Sequence, residues 1–338
     1  MAPHVVYAYL AMREALDDAH LSQELVSNPR TGLLCASGGS PRLTYRHLEK
    51  MFEVGPLKCH PFALPASIAG TLSFNLVAVF QIHGGSVGFV SACSSSTHAI
   101  GYGLDLIRQG RQDCIIVAGA EECDAYTILP FASVRALTRS TDPKKAPCAF
   151  DVKRDGFAST GGAAVVVLEE LEQARKRNAP IYAEVMGWGQ SSDGYNIMAP
   201  EPNGEGLARA IRSALADANV APEQIDYVNA HATATPLGDV AEIKAIQNVF
   251  GNNSPWISSL KSQTGHGLSM AGSLETAICA LALREKFTPV SMKITELDPA
   301  CSNSRIVTQP ISHAPRIVLK NSSAFGGANV ALVLRRFD

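Results

Sequence analysis

AMREALDDAHL at residues 11–21 and AIRSALADANV at residues 210–220 share Ala, Arg, Ala, Leu, Asp and Ala at six of eleven positions, and the same succession of patterns follows each. Each alanine-rich helical pattern runs into an apolar strand pattern, TGLLCASG (31–38) and IDYVNAHA (225–232). Next comes a strand leading into a long helix, GGSVGFVSACSSSTHAIGYGLDLIRQG (84–110) and SPWISSLKSQTGHGLSMAGSLETAICALALREK (254–286). Two strands close each half, CIIVAGAEE and AAVVVLEEL in the first, RIVLKNSSAF and NVALVLRRF in the second. Six identities between alanine-rich helices mean little alone, but the shared order makes internal duplication the better reading. The second half also opens on a strand, IYAEVMGWGQ (181–190), for which the first half has no counterpart. The expectation is that a segment carrying the first strand of the first sheet is missing, which leaves unpaired backbone and uncovered apolar surface beside it.

Strands are predicted at 31–38, 85–92, 113–120, 162–169, 181–189, 225–230, 255–261, 316–322 and 329–335, and helices at 5–20, 94–109, 204–219, 238–249 and 269–286. This alternation argues a layered α/β protein of two halves, 1–178 and 179–338.

Composition narrows the function. With 29 Lys+Arg against 31 Asp+Glu the formal net charge is −2, which excludes a generally basic nucleic-acid binder. Hydrophobic residues make up 46% and charged residues only 18%, so a large interior or a large buried interface is implied. Residues 59–104 contain no Asp, Glu, Lys or Arg, yet Pro61, Pro65, Asn75, Gln81, Gly84 and Gly85 interrupt them, so they read as core or interface and not as a membrane span. Arg13, Glu14, Asp17 and Asp18 near the start argue against a signal peptide or anchor. The eight cysteines show no C-x-x-C and no zinc-type spacing, so reduced thiols and a cytoplasmic location are expected, with no metal site.

Cys93 in FVSACSSST stands where an apolar strand gives way to a helix. Its sulfur would face the positive end of that helix and a set of unpaired amides, which lowers a thiol pKa and offers an oxyanion hole. His231 ends the strand IDYVNAHA and His266 lies just past another, at the edge of an α/β sheet where sites assemble. Lys261 and Glu275 are placed to form an ion pair that orients a histidine, or else a solvated pair worth little. Phe325 stands at the Gly326-Gly327 turn, either an oxyanion donor or part of an ordinary hairpin. No phosphate-binding loop is present, Gly101-Tyr-Gly103 stands alone, and the segment from Gly267 to Ala271 lacks the last glycine of a hydrolase elbow.

At these residues the sequence resembles the β-ketoacyl-acyl-carrier-protein synthases, most closely type I of bacterial fatty-acid synthesis. Five separated motifs match in order and together span the chain: VSACSSS with HAIGYGLDLIRQGRQD, AFDVKRDGFASTGG (149–162), NAHATATPLGD (229–239), KSQTGH through AGSLE (261–275), and NSSAFGGANVALVLR (321–335). The resemblance implies a thiolase-like α-β-α-β-α fold with two mixed five-stranded sheets, the first short of its first strand. It implies that Cys93 accepts the acyl chain, that His231 and His266 activate a malonyl thioester for decarboxylation, and that Lys261 with Glu275 supports them. Thr233 and Thr235 would contact the carrier arm, Phe325 would gate the pocket, and Ile68 and Phe131 would line the acyl channel.

The implied partner is acyl carrier protein, whose own phosphopantetheine arm makes any cofactor of the enzyme unnecessary, and a homodimer is expected. Because that carrier is acidic in the family, Lys58 and Lys50 are candidate docking residues. The chain departs from the family pattern at Ala232 and Ala324, where the family usually has glycine, and at Ala328, where it has threonine. The loss at Ala324 predicts a stiffer gate. The alternatives are a ketosynthase of a specialised polyene or polyketide pathway, or an inactive partner subunit. The latter expects the nucleophile to be replaced, whereas Cys93 is present; a thiolase would need a second reactive cysteine in a C-x-G context, and Cys301 is followed by Ser302 and Asn303.

Overall fold

In the computed structural model, which describes every residue of the chain except Asn252, the first helix, α1 (Pro3–Asp18), starts with proline in its first turn. It buries Val5, Ala8, Met12 and Leu16, the three- and four-residue spacing of one helical face. After α2 (Gln23–Val26) come β1 (Thr31–Ala36), α3 (Pro41–Val54), α4 (Ala63–Ser67), α5 (Thr71–Phe80), β2 (Ser86–Phe89), α6 (Ser95–Arg108), β3 (Cys114–Glu121), α7 (Ala125–Ser133), β4 (Gly162–Glu169) and α8 (Leu171–Lys176). The second series is β5 (Ala183–Ser192), α9 (Glu205–Ala218), β6 (Tyr227–Asn229), α10 (Pro236–Phe250), β7 (Trp256–Ser258), α11 (Lys261–Thr264), α12 (Ala271–Glu285), β8 (Arg305–Ile306), β9 (Ile317–Ser323) and β10 (Ala328–Arg336).

The two sheets repeat one plan. The first runs β2-β1-β3-β4, with β1 parallel to β2 and β3 and with β4 antiparallel to β3. The second runs β5-β10-β9-β6-β7-β8, with β6 parallel to β7 and β9 and with β10 antiparallel to β9. Its outer strand β5 lies antiparallel to β10, whereas β4, the counterpart of β10, has no outer strand among the described residues. That free edge lines a cavity of about 690 Å³ together with the start of β5 and part of α12. The first sheet has four strands, as expected of a five-stranded sheet short of its first strand, and the second departs from five by gaining a sixth, the two-residue β8 paired to β7.

The long helices α6 and α12 meet at their N-termini between the sheets. The Ser273 amide donates to Ser96 Oγ at 3.0 Å, and a Cβ on Gly272 would come within 2.3 Å of Thr97 Oγ1, so only glycine permits this approach. Gly101, unexplained by any sequence motif, has the same use: a Cβ there would lie 2.2 Å from the Trp188 ring. Each long helix is entered through a non-glycine residue in the left-handed region, Ala92 (φ 47°) before α6 and Leu268 (φ 50°) before α12. This backbone is costly for L residues and sits immediately before Cys93.

Candidate active site

Cys93 occupies a short helical turn, Ala92–Ser94, between β2 and α6. Ser91 and Ser95 brace that turn, the Ser91 amide donating to Ser95 Oγ at 2.8 Å. Across from it, Cys93 Sγ lies 3.0 Å from His266 Nε2. The His231 ring stands 5.2 Å from the His266 ring, nearly perpendicular at 83°. Two residues of the second half and one of the first thus converge, and their donor atoms lie within 4.8 Å of one another.

Backbone contacts fix both histidines. The His266 amide donates to Ala158 O at 2.8 Å and its carbonyl accepts from the Thr160 amide at 3.1 Å, so the FASTGG motif is the cradle of His266. The buried Glu242 carboxylate on α10 accepts from the amides of His231 and Ala232, each at 2.6 Å, and from Asn321 Nδ2 at 2.6 Å. Glu242 was not legible in the sequence, because in PLGDVAEIKAIQ it reads as the polar face of an ordinary helix.

Lys261 and Glu275 form a buried ion pair, not the solvated pair that was the alternative. A second buried lysine, Lys320 on β9, also meets Glu275, its Nζ 3.0 Å from Oε2 but off the hydrogen-bonding angle. Burial alone would raise the Glu275 carboxyl, and the two ammonium groups together outweigh it and hold it below the usual range. Burial is also the main reason both imidazoles are held well below their ordinary value, with Lys261 and Lys320 pushing the same way. Both rings are therefore neutral at physiological pH.

The thiol differs from expectation. Burial pushes Cys93 up to about 12, and the Lys261 ammonium offsets this only in part. Both shifts favour a neutral thiol against a neutral imidazole over a standing thiolate, with His266 Nε2 placed to take the proton.

An aromatic wall leads from this cluster to the surface. Phe157 packs edge-on to His266 at 5.0 Å, Phe131 meets Phe157 at 5.4 Å, and Phe325 meets Phe131 at 6.1 Å, with Phe325 itself 38% exposed. Phe325 opens the turn between β9 and β10, where Gly326 (φ 80°) and Gly327 (φ 72°) take left-handed backbone. Ala324 is extended (φ −139°, ψ 162°), a conformation in which alanine costs nothing, so the observed position of Phe325 needs no glycine there.

The hydroxyls of Thr233 and Thr235 lie 3.2 Å apart on the loop after His231, and Thr233 lines a small cavity with His231 and Glu242. Ile68 follows α4, is 39% exposed, and takes part in none of the contacts that build the cluster. Lys58 and Lys50 are both exposed, and Lys50 is paired with Glu53 at 3.2 Å. All eight cysteines are free, and no described helix is long and apolar enough to cross a membrane.

Comparison with known proteins gives a consistent result. The family model "Beta-ketoacyl synthase, N-terminal domain" matches residues 1–174, and "Beta-ketoacyl synthase, C-terminal domain" matches residues 182–295. A 3-oxoacyl-acyl-carrier-protein synthase 1 of Haemophilus influenzae is 41% identical over 343 residues, covering 100% of this chain and 83% of the relative. A β-ketoacyl synthase structure from Burkholderia phymatum superposes with a TM-score of 0.94 at 34% identity, covering 100% of this chain and 83% of that one. A type II polyketide ketosynthase, solved in complex with its acyl-carrier protein and bound to the hexaketide, superposes at 0.93 with 26% identity, covering 99% and 85%. The thiolase-like layering expected from the motifs is the fold found.

Proposed function

The chain belongs to the β-ketoacyl synthase family, and from that premise we propose that it carries out the decarboxylative condensation of fatty-acid elongation. An acyl chain delivered by acyl carrier protein is held on Cys93 and joined to malonyl-acyl carrier protein, giving 3-oxoacyl-acyl carrier protein. The observation that carries this reading is the 3.0 Å contact of Cys93 Sγ with His266 Nε2, with His231 beside them behind an aromatic gate. Fatty-acid elongation is favoured over a polyketide pathway by 41% identity to the Haemophilus influenzae synthase against 26% to the polyketide ketosynthase.

In the first half-reaction, the thiol proton passes to His266 Nε2 as Sγ attacks the acyl thioester. The Cys93 thioester forms, the carbon–sulfur bond to the phosphopantetheine arm breaks, and the leaving thiolate takes the proton. In the second, the carbon–carboxylate bond of the malonyl group breaks with loss of CO2. The electron pair left on the malonyl unit is shared with its thioester oxygen, which neutral His231 stabilises by donating an Nε2–H bond, and His266 does the same once its single ring proton has moved from Nδ1 to Nε2 after the carrier thiol has left. The carbanion attacks the Cys93 thioester, the new carbon–carbon bond forms as the carbon–sulfur bond to Cys93 breaks, and the thiolate takes from solvent the one proton that the overall condensation consumes. Nothing is oxidised or reduced beyond the loss of CO2, so the chemistry calls on no metal or redox cofactor of the enzyme's own.

Thr233 and Thr235 are proposed to hold the carrier arm and Phe131 and Phe325 to line the acyl path. Docking of the carrier near Lys58 and Lys50, pairing with a second copy of the chain, and a cytoplasmic location belong to the same proposal, the last supported by eight unpaired thiols. Ile68, exposed in the single chain, is proposed to line an acyl channel only once a second copy covers it. The test is to supply acyl- and malonyl-acyl carrier protein and assay 3-oxoacyl-acyl carrier protein and CO2. Equal yields of the two are expected, and absence of both overturns the reading.

A further inference from the structure

We propose that Lys320 is a positioning residue for the decarboxylation step: it shares the Glu275 carboxylate with Lys261 and leaves a net positive charge behind the two imidazoles. This rests on the reading of Cys93, His231 and His266 above and adds a group outside the motif residues assigned to the site.

The geometry is specific. Lys320 is completely buried on β9, with Nζ 3.0 Å from Glu275 Oε2, while Lys261 holds the opposite oxygen, Oε1. Lys320 Nζ also donates to Asn321 O at 2.9 Å and to Ser322 Oγ, and lies 3.4 Å from Thr97 Oγ1, which is itself 2.8 Å from Ser322 Oγ. Its partners therefore come from α12, β9 and the first turn of α6, the helix that follows Cys93.

One lysine and one glutamate would make a neutral buried pair. A second ammonium on the same carboxylate leaves the Lys261–Glu275–Lys320 cluster with one cation in excess, an arrangement that fold stability alone does not favour. Burial lowers the Lys320 ammonium and Glu275 opposes that, while the next carboxyl, Glu242, is itself raised by burial and is held by the His231 and Ala232 amides and by Asn321, not by either lysine. The other titratable groups facing it are Cys279 on α12, Lys261 on α11 and the phenol of Tyr227 on β6, with Glu242 on α10 reaching the same layer through Asn321. None of these but Glu275 lies within ion-pair distance of Lys320.

A fixed positive charge there serves the chemistry. Decarboxylation needs His231 and His266 neutral, each donating from Nε2 to an oxygen that is becoming negative. A nearby cation disfavours the imidazolium form and favours that developing charge. Lys320 acts through Glu275 and through the field it sets, without touching substrate.

The experiment is single-turnover decarboxylation of malonyl-acyl carrier protein between about pH 5 and about pH 8.5 by the wild type and by Lys320→Met, Lys320→Gln and Lys320→Arg. Removing the charge raises the imidazole pKa values, so the acid limb of the Met and Gln variants is expected to move up by about one pH unit. Rates at the acid end should fall about tenfold, with KM for the carrier substrate unchanged, and Lys320→Arg should keep the wild-type limb. A folded Met or Gln variant whose acid limb is unmoved overturns the proposal. If both neutral variants fail to fold, imidazole carbon resonances of the wild type still allow the proposal to fail: rings that titrate near about 6.5 overturn it. A wild type that fails to decarboxylate at any pH refutes the reading of the site itself, a result distinct from an unmoved limb.

Discussion

Cys93 and His266 stand 173 positions apart in sequence and meet with sulfur and Nε2 at 3.0 Å, Cys93 on the turn between β2 and α6 and His266 on the loop between α11 and α12. The contact joins a thiol that burial keeps protonated to an imidazole that burial keeps neutral. Proton transfer between them belongs to the reaction and not to the resting enzyme.

Alkylation of Cys93 tests that resting state. With the thiol pushed up to about 12, its reaction with iodoacetamide should accelerate about tenfold per pH unit from about pH 7 to about pH 9, without a plateau. A rate already level near neutral pH would show a standing thiolate–imidazolium pair.

The two histidines should separate by step. His231→Ala is expected to accept an acyl chain from acyl carrier protein at close to the wild-type rate while losing decarboxylation by on the order of 10²-fold. His266→Ala, having lost the group that contacts the sulfur, should lose decarboxylation and also acylate more slowly, by about tenfold. Rapid-quench measurement of each half-reaction checks this, and equal acylation rates in the two variants would remove His266 from the first step.

Strand β2 lies at the edge of its sheet and is exposed along most of its length, with Val90 just beyond it 70% exposed. An apolar edge of this kind is a liability for a monomer. Sedimentation at micromolar concentration is expected to give a dimer, and replacing both Val87 and Val90 with lysine to weaken it by tenfold or more. A wild type sedimenting as a stable monomer would contradict the assignment.

Lys58 is exposed and forms none of the ion pairs among the described residues, whereas Lys50 is compensated by Glu53. Lys58→Glu should therefore raise KM for acyl carrier protein several-fold and leave a short acyl-pantetheine thioester unaffected. Equal effects on both substrates would mean that Lys58 is structural.

Much of the plan was legible because the apolar periodicity of the sheets is strong: the strand read at 162–169 is β4 residue for residue. Helix α3 was missed although its apolar positions follow helical spacing, and in the single chain none of its residues is buried. Cys93, His231 and His266, which the structure brings together, were singled out in the sequence by their places near strand ends, whereas Phe157, Glu242 and Lys320 were not. Lys320 lies in RIVLKNSSAF beside Leu319, and both are fully buried, because β9 is covered on both faces and no alternation marks which side chains point inward. A lysine in such a run looks like a solvent-facing residue until its partner, 45 positions away on α12, is in place. The upward direction of the thiol's shift departs from the sequence expectation for a related reason: a helix terminus is visible in sequence, but the burial opposing it is not.

The central claim is that Cys93 carries the acyl chain into a decarboxylative condensation. Intact-protein mass after incubation with acyl carrier protein loaded with a long acyl chain should rise by one acyl group, mapped to the Cys93 peptide and absent in Cys93→Ser. Adding malonyl-acyl carrier protein should then return the protein to its starting mass as 3-oxoacyl-acyl carrier protein appears. An adduct on another cysteine, or a Cys93 adduct that persists after malonyl-acyl carrier protein is added, would contradict the account.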